Sequence, residues 1–429
     1  MTAGKQTPKV PELRFPEFRS AGNWHFRPLS EIADPISDRV GGGNCVPMSI
    51  STGVGLVSQD EKFGRIIAGD SIKNYIRLQE NDFAYNKSST KEFPQGYIAR
   101  YRGTKDAAVP NSIFTCFRPN AASAVPQYLD HLFHGNHHGR WLRKFITVGA
   151  RAHGALSVSD DDLMSMPVPL PPIEVSLLEQ QKIADCLGSL DDLIAAESRK
   201  LEALRQHKQG LMQQLFPQPG ETQPRLRFPV FQDAREWRIA PLAELFDTAT
   251  GSTPDRSRPE YWDGEVPWVT TSAVDFNVIE STKESISEAG LANSSAKLFP
   301  RNTVLVALYG EGKTRGKVAI LGIEAATNQA CAAILPNGDI DPRFVFFNLG
   351  GRYEEIRAIS NSGGQKNLSQ ALLRDLPFAY PEEQAEQERI AECLCALDTR
   401  IGAQMTIIHT LRTQKQGLLQ QLFPSLEDH

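Results

Sequence analysis

The sequence predicts a mixed α/β (α+β) protein built as a tandem repeat. Two variable domains are each followed by a copy of one long helix, and the helices pair as an intramolecular antiparallel coiled coil about a pseudo-two-fold axis. Three observations predict this. Segments at both ends of each half recur at a nearly fixed offset, the recurring C-terminal segment keeps an unbroken 3–4 apolar spacing, and the segments between differ in length and sequence.

Leu13-Arg14-Phe15-Pro16 recurs as Leu226-Arg227-Phe228-Pro229, an offset of 213 that also carries Phe18 to Phe231, Trp24 to Trp237 and Pro28-Leu29 to Pro241-Leu242. Glu179-Gln180 recurs as Glu386-Gln387, and Lys208-Gln209-Gly210-Leu211 as Lys415-Gln416-Gly417-Leu418, at an offset of 207. Across 179–217 against 386–424, 21 of 39 positions are identical, far beyond chance. The second middle is therefore six residues shorter than the first.

The recurring end reads as a helix. Ile183, Leu187, Leu190, Ile194, Leu201, Leu204, Leu211 and Leu215 form the first seam, with Glu197 and Lys208 at its polar positions. Ile390, Leu394, Leu397, Ile401, Ile408, Leu411, Leu418 and Leu422 form the second, with Gln404 and Lys415 in the matching places. Sustained 3–4 spacing marks a coiled-coil seam. Pro172 and Pro217 bracket the first helix and Pro381 and Pro424 the second, so each spans about 57 Å at the α-helical rise. The polar positions either fix register or are tolerated at a splayed end.

The middles read as mixed domains. Thr303–Leu308 and Lys317–Leu321 are short and β-branched, while Pro126 opens a helical stretch through Ile146 and Pro342 opens its counterpart. The expected boundaries are a disordered tail over 1–12, variable domains over 13–172 and 226–381, helices over 173–217 and 382–424, a linker over 218–225 and a C-terminal tail over 425–429.

At 429 residues the chain exceeds one ordinary domain, and 40% hydrophobic with 23% charged residues excludes disordered and fibrous classes. Six scattered cysteines without a C-x-x-C pair fit a reducing cytosol. The polar N-terminus shows no signal peptide and no apolar run approaches a membrane span, so a cytoplasmic protein without a membrane partner is expected. The net charge of −5 hides asymmetry. Residues 85–105 hold five cations against Glu92, residues 138–151 hold Arg140, Arg143, Lys144 and Arg151 with no acid, and residues 297–317 hold five cations against Glu311.

Most candidate chemistry fails. Ala307–Thr314 fits a loose phosphate-loop pattern, but a strand-like run follows where a helix must begin, so it reads better as a β-hairpin with a basic tip. His131, His134, His137 and His138 cluster without a completing ligand set and read as a solvated basic helix rather than a metal site. Cys393 and Cys395 read as small seam residues. No adenine-methyltransferase motif, G-x-G-x-x-G or nuclease-like carboxylate pair occurs, so the chain reads as catalytically empty.

The basic, aromatic-interleaved segments remain as DNA contacts. Lys87, Ser88, Arg100, Tyr101, Arg102, Lys105 and Arg151 in the first variable domain pair phosphate-binding cations with groups able to read base edges. Lys313, Arg315, Lys317, Gln365, Lys366 and Asn367 offer the same types in the second.

These residues resemble the specificity subunit of type I restriction-modification systems, from Leu13 to Pro424. The entry to each helix (179–191 and 386–398) and the Lys-Gln-Gly-Leu…Gln-Gln-Leu-Phe-Pro exit carry the resemblance best. Thr253-Pro254, Tyr261-Trp262, Val266-Pro267-Trp268 and Thr327-Asn328-Gln329-Ala330 resemble phrases of target recognition domains. In the first variable domain Asn111-Ser112 falls near the place of Asn328-Gln329, and Trp268 has no evident counterpart. The resemblance implies that each target recognition domain reads half of a split double-stranded DNA site. It also implies that the helices fix the half-site spacing and dock two methyltransferase subunits. Those partners use S-adenosylmethionine, and restriction subunits use ATP and Mg. Two unlike heads then imply an asymmetric site. A coiled-coil scaffold without DNA reading and a nucleotide-binding enzyme using 307–314 are the competing readings.

Overall fold

The computed structural model describes residues 10–51, 53–146, 156–218, 220–310, 313–359 and 368–424. The chain forms two compact units, one of residues 1–198 with 406–429 and the other of 199–405. The boundaries fall inside the two long helices, Ser176–Leu215 and Gln384–Gln421. Each unit therefore holds a variable domain, the first half of the helix that follows it, and the last half of the other helix.

In unit 1 the strands are β1 (His25–Pro28), β2 (Ala33–Pro35), β3 (Val46–Ser51), β4 (Gly55–Ser58), β5 (Ile76–Leu78), β6 (Phe83–Asn86), β7 (Tyr97–Arg100), β8 (Ala107–Val109), β9 (Phe114–Pro119) and β10 (Pro167–Leu170). They form two four-stranded sheets in the orders β2-β9-β6-β7 and β4-β3-β8-β5, and β1 pairs with β10 as a ribbon. One core packs Phe83, Phe117, Tyr128, Leu129 and Phe133 with Ile183 and Leu187 of the first long helix and Leu422 and Phe423 after the second. A smaller core fills the space between the two sheets around Leu78, Ala84, Ala99 and Val109.

Unit 2 repeats the plan with β11 (Arg238–Pro241), β12 (Thr248–Thr250), β13 (Trp262–Val269), β14 (Asn277–Ile279), β15 (Glu284–Ile286), β16 (Leu298–Phe299), β17 (Val304–Ala307), β18 (Val318–Leu321), β19 (Ala325–Thr327), β20 (Cys331–Ile334) and β21 (Pro377–Tyr380). Its sheets run β12-β20-β17-β18-β14 and β15-β13-β19-β16, with β11 and β21 as the ribbon. The parallel pair β3–β8 has its counterpart in the parallel pair β13–β19. Asn81 and Asn302, both with positive φ (72° and 71°), turn the chain into β6 and β17.

The repeated residues build the same frame twice. Arg14 donates from Nε and Nη2 to Glu179, each bond 2.7 Å, and Arg227 grips Glu386 in the same bidentate way at 2.8 and 2.6 Å. Both carboxylates are buried, and a fork-on-fork pair satisfies a buried carboxylate that would otherwise be strongly unfavourable. The Gln180 side chain accepts from the Val125 amide, and Gln387 from the Asp341 amide, so each seats the start of a variable-domain helix (Pro126–His134 or Pro342–Gly351). The Leu13 amide donates to the Gln421 carbonyl, and that of Leu226 to Gln214, both within their own units.

Within each unit the two helix segments run antiparallel, as the ion pairs show. Lys415 bonds Asp191 in unit 1 at 2.5 and 2.7 Å, and Lys208 bonds Asp398 in unit 2 at 2.6 Å. The polar seam lysines thus meet acids repeated at the same offset, which suits a register lock better than a splayed end. Every seam residue named above is buried or half-buried. The expected helix from Pro126 to Ile146 is instead two pieces, Pro126–His134 and His137–Leu142, because Asn136 takes a left-handed conformation (φ 59°) between them.

Candidate nucleic-acid interface

The sequence-predicted DNA residues separate once their partners are known. Arg100 is 13% exposed and bonds Asp130 at 3.0 Å and Asn81 at 2.7 Å. Tyr101 is buried, donates to the Lys105 carbonyl at 2.6 Å, and burial raises its phenol pKa. Both are corrections, since Tyr101 is buried and the largely covered Arg100 guanidinium is already engaged by Asp130 and Asn81 within the domain. Lys87 is tied to Asp160 at 2.9 Å and is half-buried. The Ser88 amide donates to the Asn86 side chain at 3.0 Å. Arg102, 66% exposed although it also bonds Asp130, and Lys105 remain on the surface.

In unit 2, β17 and β18 pair antiparallel, and the described residues between them hold no helix. That is a hairpin, and a phosphate loop needs a helix there. Lys313 is exposed, Lys317 bonds Asp275 at 2.6 Å, and Arg315 is half-buried beside the turn. Arg151, Gln365, Lys366 and Asn367 lie outside the described residues.

The histidine reading is overturned for three of the four residues, while His134 is exposed. His131, His137 and His138 are buried, His137 Nε2 lies 2.9 Å from the Pro167 carbonyl and His138 Nε2 3.2 Å from that of Gly96. Burial depresses all three to about 4, so they are neutral core residues rather than a solvated basic helix. Helical spacing could not reveal this, because Asn136 breaks the stretch into two helices and one helical wheel no longer relates His131 to His137 and His138. Among the described residues no group of three His, Cys, Asp or Glu side chains could hold a metal ion. No helix among them is long and apolar enough to cross a membrane.

Sequence reasoning missed a loop cluster in unit 2. Strands β13 and β19 run parallel and end side by side at Val269 and Thr327. The loop after β12 is laid against them, with the Ser252 amide on the Thr327 carbonyl at 2.8 Å and Trp268 Nε1 on the Ser252 carbonyl at 3.2 Å. A Cβ on Gly251 would lie 1.9 Å from the Thr327 oxygen, so only glycine allows this approach. Arg256 stacks on Trp262, 3.7 Å from the ring centroid, and pairs with Glu284 at 2.6 Å. Thr253 then donates to Gln329 Oε1 at 2.6 Å, and Thr271 to Asn328 Oδ1 at 3.1 Å. The available signal was the spacing of Thr253, Trp262, Trp268 and Gln329, which the structure brings into one place.

The chain is thus a duplicated unit, each copy a variable domain of closely similar strand plan framed by the same helical residues. A model of the type I restriction modification DNA specificity domain matches residues 234–412. The chain is 26% identical over 250 residues to a type I restriction enzyme specificity subunit of Escherichia coli, covering 56% of this chain and 57% of that one. It is 26% identical over 172 residues to one from Methanocaldococcus jannaschii, 39% of each chain. The chain thus spans little more than half the length of these relatives at most. Among solved structures, the S subunit from M. genitalium aligns with a TM-score of 0.57 over 97% of this chain and 100% of that chain, at 14% identity. A chain from a type I restriction-modification assembly aligns at 0.58 over 94% and 98%, at 17% identity. These two likenesses speak to the fold. Residues 234–412 are thus similar to the type I restriction modification DNA specificity domain, and about half of the chain is similar to known type I specificity subunits.

Proposed function

We propose that this chain is the non-catalytic, DNA-sequence-reading subunit of a cytoplasmic type I restriction-modification complex. Each target recognition domain reads one half of an asymmetric bipartite site in the major groove. The paired helices set the half-site spacing and dock two adenine-N6 methyltransferase subunits, and restriction subunits complete the assembly. S-adenosylmethionine belongs to the methyltransferase partner, ATP and Mg to the restriction partner. Extruding a base for methylation needs a pocket that the partner supplies.

One observation carries this reading. The residues that clamp each variable domain to its helix are the same in both halves (Arg14–Glu179 and Arg227–Glu386), while the two heads share a strand plan, with β14 added in the second, and differ in length and sequence. A fixed frame suits two copies of one partner, and changeable heads suit two unlike half-sites.

Reconstitution with the methyltransferase partner tests it. The complex should bind duplex DNA with a steep fall in affinity as salt rises, and methylate adenines in one split, asymmetric motif. The purified chain alone should transfer no methyl group. A complex that assembles but ignores DNA leaves only the scaffold reading.

A further inference from the structure

Because the frame occurs twice in one chain, its two copies show which surface residues have been held the same. Over 199–207 the first long helix exposes Arg199, Lys200, Glu202, Ala203, Gln206 and His207, and the second copy has Thr406, Ile407, His409, Thr410, Thr413 and Gln414 in their places. Against that drift, Arg205, Gln209 and Gln213 are exposed and recur as the exposed Arg412, Gln416 and Gln420. Spaced at i, i+4 and i+8, the three share one helix face. Lys208, Leu211 and Leu215 beside them recur because the frame uses them, in an ion pair and in the seam. The stripe has no such use. Among the described residues its six side chains bond no other residue, except that Arg205 Nη2 lies 3.7 Å from Met405 Sδ.

An exposed polar residue without an internal role is held the same by something outside the chain, and here that something meets both copies. The chemistry separates DNA from protein. A polyanion selects cations, yet two of the three positions are carboxamides, each offering a donor and an acceptor at once. Such a set fits a folded protein surface that presents a carboxylate to the arginine and main-chain or amide groups to the glutamines. In unit 1 there is room for that surface. Arg412, Gln416 and Gln420 line a cleft of about 780 Å³ together with His134 and Arg140 of the first variable domain. Its charged groups are Arg140 and Arg412, neither paired among the described residues, Lys415 and Asp191, which bond each other, and Glu12.

We propose that each stripe is the polar docking face for one methyltransferase subunit, and that the two faces are crossed. The stripe of the second long helix (Arg412, Gln416, Gln420) seats the subunit that serves the first target recognition domain, and the stripe of the first helix (Arg205, Gln209, Gln213) the subunit that serves the second. The crossing follows from the units, since 412–420 lies with the first head in unit 1 and 205–213 with the second head in unit 2. The proposal rests on the methyltransferase docking given above and names the residues that perform it.

The test titrates the methyltransferase partner into the full chain and reads the stoichiometry by sedimentation. Wild type should take two copies. Arg412→Glu sets a carboxylate against the partner's carboxylate and should weaken one site roughly tenfold or more, leaving a one-to-one complex. Hydrogen exchange should then show partner protection in unit 2 alone, and methylation should persist at only one of the two half-sites. Arg205→Glu should give the reverse on each count, and Gln416→Ala a smaller loss of the same kind as Arg412→Glu. Two copies bound at wild-type affinity by both charge-reversed variants would overturn the docking face, and protection lost from unit 2 on Arg412→Glu would overturn the crossing. Full assembly with weakened DNA binding would mean that the stripes face DNA and would overturn the protein face. A wild-type chain that takes no methyltransferase would instead remove the docking function beneath the proposal.

Discussion

The two variable domains share a strand plan and almost no sequence, and they spend their extra residues in different places. In the first, β4 follows closely on β3, and the length lies beyond β4, in the helical turns Gln59–Phe63 and Gly69–Asn74. In the second, β13 and β15 are separated by residues 270–283, which add β14 alongside β18, and the connection to β16 is shorter. Exposed apolar groups follow the insertions: Val54, Phe63, Ile66 and Ile67 in the first domain, Phe276 and Val278 in the second. The difference teaches that the strand ladders, which need only backbone groups and alternate burial, are retained, while connections that run over the surface are free to change.

The comparison can be broken most forcefully at the frame. Glu179→Ala should strand Arg14, and Glu386→Ala should strand Arg227, each destabilising its own unit by about 3–5 kcal/mol. Hydrogen exchange would report this as faster exchange confined to the unit that carries the change. Equal loosening of both units would show that the halves are not separately framed.

Acid should distinguish the heads next. His131, His137 and His138 have folded pKa values near 4, below the ordinary 6.5, so the unfolded chain binds more protons between those values. Their contribution is complete above about pH 6.5 and is lost as the pH falls towards 4, by up to about 1.4 kcal/mol per pH unit for each histidine. The matching helices of unit 2, Pro342–Gly351 and Tyr353–Ile359, carry no histidine. Unit 1 should therefore unfold first in an acid titration followed by exchange or limited proteolysis.

A smaller contrast lies in the repeated tryptophans. Trp237 Nε1 donates to Glu386 at 3.2 Å, whereas Trp24 Nε1 has no partner. Trp237→Phe should destabilise by about 1.5–3 kcal/mol, the usual worth of a hydrogen bond to a charged group, and Trp24→Phe by distinctly less in chemical denaturation. The smallest effect should be shared. Gly210 and Gly417 are helix-interior, and nothing lies within 4 Å of a Cβ at either, so each Gly→Ala should stabilise by about 1 kcal/mol in thermal unfolding. Unequal gains would mean that the two positions are not equivalent.

The frame was legible residue by residue. The 3–4 spacing marked both helices to within a few residues, and the repeat of Arg14, Glu179, Gln180 and Lys208 marked what mattered before any contact was known. The DNA surface was legible only as local charge. Arg100 and Arg102 are two residues apart and look alike in sequence, yet one is a buried ion pair and the other faces solvent. Charge type is a property of the residue, but availability is set by what folds against it: both reach Asp130 on a distant helix, and Arg100 alone is also held by Asn81 and largely covered.

The sequence by itself determined the duplication, the two amphipathic helices and the matching polar seam positions, because each of these is a periodic or repeated pattern that survives without tertiary contact. Only the tertiary structure decided that the unlike middles share one strand plan, that His131, His137 and His138 are core, and that Gly251, Arg256, Trp262 and Gln329 meet in one cluster. The physical reason is that strand pairing and burial are settled between residues far apart in the chain, where local spacing carries no information about partners.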